Sequence, residues 1–144
     1  HLRQLMSDSL TCDFMGLPTR AIVFREYLPL YALFKAFWGH MPIGRERRYF
    51  IRDGHVEAHF PYWPADAIRE HDPDDAGWET LLAQLNTEAP QEIEELTQIS
   101  RRVGQRLSGY WSVDFAQHQD GRWFLIDMAE GDHSWRPKRA EPLT

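Results

Sequence analysis

The chain has little cysteine, little lysine and no long apolar run. Its 144 residues hold one cysteine, Cys12. That excludes an internal disulfide framework and any multi-cysteine metal site, and it fits a reducing, cytoplasmic setting. No apolar stretch approaches the roughly 20 residues a membrane helix needs, so no membrane span is expected. Only Lys35 and Lys138 are lysines, against fourteen arginines. The net charge of -6 argues against a sequence-independent nucleic-acid binder, because phosphate binding of that kind needs a basic face. No repeat or low-complexity stretch is visible. His1-Leu2-Arg3 is neither an initiator methionine nor the start of a signal peptide, so a segment of a longer protein is expected.

What is present is a core-forming composition, 42% hydrophobic and 13% aromatic, enough for one domain. Residues 2–10 are mildly helical, and Gly16-Leu17-Pro18 breaks them. Ala21 to Leu28 reads as a buried strand stopped by Pro29. Leu30 to Trp38 leans to strand, and Gly39 to Pro42 to a turn. Arg45 to Arg52 and His55 to Phe60 flank Asp53-Gly54, the strongest short hairpin signal, because a type I′ turn needs positive φ at both central positions. Asp72 to Asp75 would cap a helix carrying Trp78, Leu81, Leu82 and Leu85. A second helix starts at Pro90, with Ile93, Leu96, Ile99, Val103 and Leu107 as its buried stripe. A final hairpin joins Tyr110–Gln119 to Arg122–Ala129 around Asp120-Gly121, and a loose polar tail follows. The order implies an α+β domain, an antiparallel sheet with helices packed on one face.

The last hairpin carries chemistry. If Asp120 and Gly121 are its two turn residues, Gln119 faces Arg122 and Asp114 faces Asp127. Trp111, Val113, Phe115, Phe124, Ile126 and Met128 then form a core face. The other face holds Ser112, Asp114, Ala116 and His118 opposite Leu125, Asp127 and Ala129. Two carboxylates directly opposite one another repel. A Mg²⁺ ion relieves this, since it takes one or two protein carboxylates together with phosphate oxygens and water. The small neighbours leave room for a ligand. The alternative is that an arginine from elsewhere neutralises one Asp, or that the register slips.

These stretches resemble the ATP-grasp superfamily. Val113-Asp114-Phe115-Ala116 with Phe124-Leu125-Ile126-Asp127-Met128 is similar to its metal-binding hairpin. Phe24-Arg25-Glu26-Tyr27-Leu28 resembles its adenine-holding hinge strand, and Pro42 to Gly54 its Glu-x-Arg-x-Phe strand and hairpin. The three occur in the family's order across residues 20–133. The resemblance implies that Arg25, Glu26, Tyr27 and Leu28, with Glu46 and Arg48, would bind ATP. Arg48 would also serve catalysis at the triphosphate or an acyl phosphate. Asp114 and Asp127 would hold Mg²⁺. It further implies residues 1–19 as the end of a preceding lid subdomain, residues 20–133 as the C-terminal ATP-grasp subdomain, and residues 134–144 as a tail.

The sequence also departs from the family. Asp127 stands where Glu is usual, and Ala129 where a metal-binding Asn is usual, which leaves Glu130 as the candidate replacement ligand. The lysine-bearing, Gly-rich lid expected before the hinge is missing. The leading expectation is therefore the ATP- and Mg²⁺-binding part of a ligase, incomplete as a catalyst in this form. Such a ligase activates a small carboxylate or peptide as an acyl phosphate for attack by an amine or similar nucleophile. A non-catalytic nucleotide-binding or scaffold module, and a Mg²⁺-dependent phosphoesterase, are the alternatives. The histidines, including the His55/His59 pair, lack metal-ligand spacing for a strand. Tyr62-Trp63-Pro64 reads as hairpin-end packing rather than a stacking surface.

Overall fold

The computed structural model describes residues 25–137, together with 3, 4, 6–8 and 10 of a helical N-terminal segment. Among these are two antiparallel sheets. Strand β1 (Ala32–Ala36) pairs with β2 (Met41–Gly44) in the smaller one. The larger sheet contains β3 (Glu46–Arg52), β4 (His55–Pro61), β5 (Tyr110–Gln117) and β6 (Trp123–Glu130), in the spatial order β4-β3-β5-β6. Between β4 and β5 come helices α1 (Ala65–Arg69), α2 (Trp78–Asn86) and α3 (Pro90–Gly104). The expected α+β class and antiparallel sheet are present.

Each sheet has its own core. Phe34, Ala36 and Ile43 of the small sheet pack with Trp63, Ile68, Leu82 and Leu85. On the large sheet, Tyr49, Ile51, Val113 and Phe115 pack with Leu96, and Ile99 and Val103 extend the contact. The stripe read from the α3 sequence is thus the stripe that docks. Its first turn is charged: Glu92 is buried and receives Arg47 Nε at 2.5 Å and Arg45 Nη2 at 2.6 Å. Arg47, fully buried, also lies 3.7 Å from Glu88.

Several local expectations change. Residues 21–24 lie outside the described ones, and Arg25–Leu28 forms no strand; Arg25, Glu26 and Tyr27 are exposed. In place of strand pairing, Arg25 Nη1 donates to the Ile126 carbonyl at 2.9 Å. Strand β1 stops at Ala36 because Phe37, Trp38 and Gly39 all take positive φ (55°, 59° and 71°). Met41 and Pro42, read as turn, belong to β2. Helix α2 starts at Trp78 without a side-chain cap; Asp74 is drawn away to accept the Lys35 backbone N–H at 2.8 Å. The expected loose tail is docked over Ser134–Arg136 (below), while 138–144 lie outside the described residues. So does the expected boundary at 19/20.

The two Asp-Gly turns differ. Asp53 and Gly54 have φ of 47° and 85° between the paired Arg52 and His55, as a two-residue type I′ loop requires. In the second hairpin only Gly121 has positive φ, 90°, and His118 N–H donates to the Arg122 carbonyl. That loop has three residues, not two. A bulge between Asp114 and Phe115 compensates by leaving Ile126 unpaired on β6. Phe115 therefore faces Leu125, and Phe124 faces Ala116 rather than joining the core face. Trp123 and Met128 are the β6 residues that pack toward α3.

Candidate functional site

Past the bulge, the register returns to the expected one, and Asp114 lies opposite Asp127. On the other side of β5, Asp114 pairs with Arg48 of β3. Directly paired residues share a sheet face. Asp127, Asp114 and Arg48 thus form one row across three strands, on the face opposite α3.

Arg48 grips Asp114 with two parallel bonds. Nε donates to Oδ1 at 2.7 Å and Nη2 to Oδ2 at 2.6 Å. The fork matches a planar carboxylate. Both partners are largely buried, with side chains 12% and 4% exposed. Burial works against the Arg48 charge, but Asp114 more than offsets it and holds the guanidinium above its ordinary range. The arginine is also placed by Tyr62, whose ring lies 4.6 Å from the guanidinium carbon, and by the Trp135 carbonyl, 3.2 Å from Nη1. The repulsion between the facing aspartates is therefore relieved on one side by an arginine. The hairpin sequence by itself could not reveal this, because Arg48 comes from sixty-six positions away.

Asp127 is exposed, and no hydrogen bond or ion pair holds it among the described residues. Glu130 lies across from Trp111 and not in the aspartate row; its carboxylate is 3.6 Å from His133 Nδ1. No group of three His, Cys, Asp or Glu side chains suited to a metal forms among the described residues. Asp114 and Asp127 nonetheless fit a two-carboxylate attachment for Mg²⁺. Each Asp114 oxygen accepts one Arg48 bond and keeps a lone pair, while Asp127 is open.

Glu46 shares the Arg48 face two residues earlier and is buried, so it is not presented to a ligand directly. Burial pushes its carboxyl up to about 7, and Asp114 adds to the rise; Arg48 and the Trp63 indole oppose it. That indole N–H leans toward Glu46 but stays outside hydrogen-bond geometry and has no partner.

Beside the row lies a cleft of about 650 Å³. Arg25, Glu26, Tyr27, Leu28 and Leu30 form one wall, and Phe124, Leu125 and Ile126 the other. The four hinge-like residues singled out from sequence thus line one cavity, against the residues that lead directly into Asp127. Its mixture of apolar walls and free backbone groups suits a planar heterocycle.

Sequence reasoning missed Trp135, which sits in the segment read as tail. Ser134 Oγ meets Ser112 Oγ at 2.6 Å, and Arg136 Nη1 donates to Tyr110 Oη at 3.2 Å. Ser134–Arg136 therefore straps the site face of the sheet. No spacing announces this; the aromatic content of the tail was the sole signal. Tyr62 was read as packing, and it is also the ring under Arg48.

An α+β domain with a nucleotide-sized cleft leading into an acidic row and a buried arginine defines a nucleotide-binding class of protein. The family comparison is specific: a family model described as an ATP-grasp domain, family 3 of its clade, matches residues 12–144. The chain belongs to this ATP-grasp family. No curated protein and no solved structure matches it. No helix among the described residues is long and apolar enough to cross a membrane.

Proposed function

We propose that the chain is the ATP- and Mg²⁺-binding part of a cytoplasmic ATP-grasp ligase that joins a small carboxylate or peptide to an amine through an acyl phosphate. The observation that carries this is the alignment of the hinge-side cleft with the Asp127–Asp114–Arg48 row. Adenine would lie between Arg25–Leu28 and Phe124–Ile126, which directs the phosphates along β6 toward the aspartates. Mg²⁺, when bound between Asp127 and Asp114, supplies positive charge against the phosphates. Arg48 contributes fixed donors at the place where phosphoryl charge develops, and its clamp on Asp114 keeps them from reorganising. Glu46 backs the row and does not touch substrate. Residues 1–19 would complete a lid, and without its lysines this piece is not a competent ligase by itself.

Calorimetry of ATP with Mg²⁺ tests the reading. Asp127→Asn is the clean variant, because Asp127 is exposed and unpaired, and its removal should weaken Mg²⁺-dependent ATP binding about tenfold or more. Equal binding by Asp127→Asn and the unmodified chain would refute the assignment. One observation favours a second reading, a non-catalytic nucleotide-binding module: Arg48 and Asp114 satisfy each other without any ligand. Such a module would bind ATP, and a longer form carrying the lid would still show no acceptor-dependent turnover.

A further inference from the structure

On the far side of Arg48 from the nucleotide cleft lies a second, smaller cavity of about 210 Å³. It is lined by Arg48, Tyr62, Trp63, Pro64, Ala67 and Trp135. Strand order sets its position: β6 carries Asp127, β5 Asp114 and β3 Arg48, while Tyr62 follows directly on the outer strand β4. Cleft, aspartate row, arginine and aromatic cavity thus succeed one another across a single face.

The chemistry of the cavity is selective. Arg48 is its sole charged residue, and three aromatic rings with a proline and an alanine make up the rest. Arg48 is not saturated. A guanidinium has five N–H donors. Three are used here, two on Asp114 and one on the Trp135 carbonyl. Two N–H groups remain, enough for one further carboxylate. Charged groups attached to the rest of a ligand would lose water among these rings without gaining a partner. Apolar ones would gain from burial. The free Trp63 indole N–H gives the wall a polar point as well.

We propose that this cavity is the subsite for the carboxylate substrate and that it selects a carboxylate bearing a ring-sized apolar group. The group sits between Tyr62, Trp63 and Trp135, and the carboxylate rests on the spare Arg48 donors, facing the aspartate row. Trp135 is a specificity-determining residue, supplied by the strap after β6. The inference rests on the ligase reading for its role in a reaction, but the pocket itself does not.

The experiment is calorimetric titration of the full chain with 3-phenylpropionate and, separately, with succinate. ATP with Mg²⁺ is titrated in parallel on the unmodified chain, and that arm reports on the ligase reading alone. The expected result is measurable binding of 3-phenylpropionate at least tenfold tighter than of succinate. Ala67→Phe, which fills the cavity, and Trp135→Ala, which removes an exposed wall, should each weaken 3-phenylpropionate at least tenfold. Thermal unfolding confirms that the variants are folded, and the exposed position of Trp135 keeps one variant usable if Ala67→Phe does not fold. No binding of 3-phenylpropionate, equal binding of succinate, or unchanged affinity in a folded variant would each overturn the proposal. Phenylpropionate binding that both variants abolish, in a chain that does not bind ATP, would uphold the pocket and refute the ligase.

Discussion

Arg47 and Arg48 are neighbours on β3 and do opposite things. Arg47 points to the helix side, is fully buried, and meets Glu92 with Glu88 behind it. Arg48 points to the open side and meets Asp114. Burial depresses the Arg47 guanidinium despite its two glutamates, whereas Asp114 more than offsets burial for Arg48. The first arginine fastens α3 to the sheet. The second has donors to spare and borders both an open carboxylate and two cavities. The pair teaches that an arginine-rich strand is not one feature: the pleat sorts it into an anchor and a tool.

Removing the anchor should have the largest effect. Glu92→Ala strands a fully buried Arg47 and should cost about 3–5 kcal/mol of folding stability, read from urea unfolding. An equal loss from Asp127→Asn, which touches only the open face, would break the contrast.

Next in size is a pH effect on the open face. The Glu46 carboxyl is raised from 4.5 to about 7 in the folded chain. Its protonated form is therefore favoured by folding. That contribution is complete below about 4.5 and is lost as pH rises through about 7. Glu46→Gln should flatten the stability profile across this window and be the more stable chain above it, by about 3 kcal/mol at most. A profile unchanged by the substitution would mean that Glu46 is not desolvated.

Smaller again is a steric test of the helix side. A Cβ on Gly104 would come 2.6 Å from Ile51 Cγ2 and 2.8 Å from Gly54 Cα. Gly104→Ala should thus cost about 1–3 kcal/mol by forcing α3 off the β3–β4 turn. ATP affinity should stay the same, because α3 lies on the other face.

The smallest stability effect belongs to Asp127→Asn itself. An exposed, unpaired carboxylate contributes within about 0.5 kcal/mol. Its loss should register in Mg²⁺-dependent ATP binding while the unfolding midpoint stands still. A large shift in the midpoint would show that the open face is structural too.

Much of this was legible in the chain, though not always for the reason given. The facing of Asp114 and Asp127 follows from a two-residue turn at Asp120-Gly121. The actual loop has three residues, and the bulge at Ile126 restores the register. Two departures cancel. The first arises because Gln119 N–H is held by the Pro29 carbonyl at 3.0 Å, a contact from ninety positions away that no local propensity encodes. At Asp53-Gly54 nothing of the kind intervenes, and the dipeptide takes the turn it prefers. The hinge-like residues were correctly grouped from sequence into one place, but as a buried strand rather than an exposed cleft wall. Trp135 was passed over because a polar, proline-containing tail carries no periodicity.

By itself, then, the sequence determined what depends on neighbours along the chain: the α3 stripe, the Asp53-Gly54 turn, the facing aspartates and membership of the ATP-grasp family. Only the tertiary structure decided which arginine meets which acid. It set Arg48 against Asp114, Arg47 against Glu92, and Trp135 over the Arg48 cavity. Strand order and the docking of distant segments fix those meetings, and a charged side chain commits to a partner only once burial has removed water as the competitor.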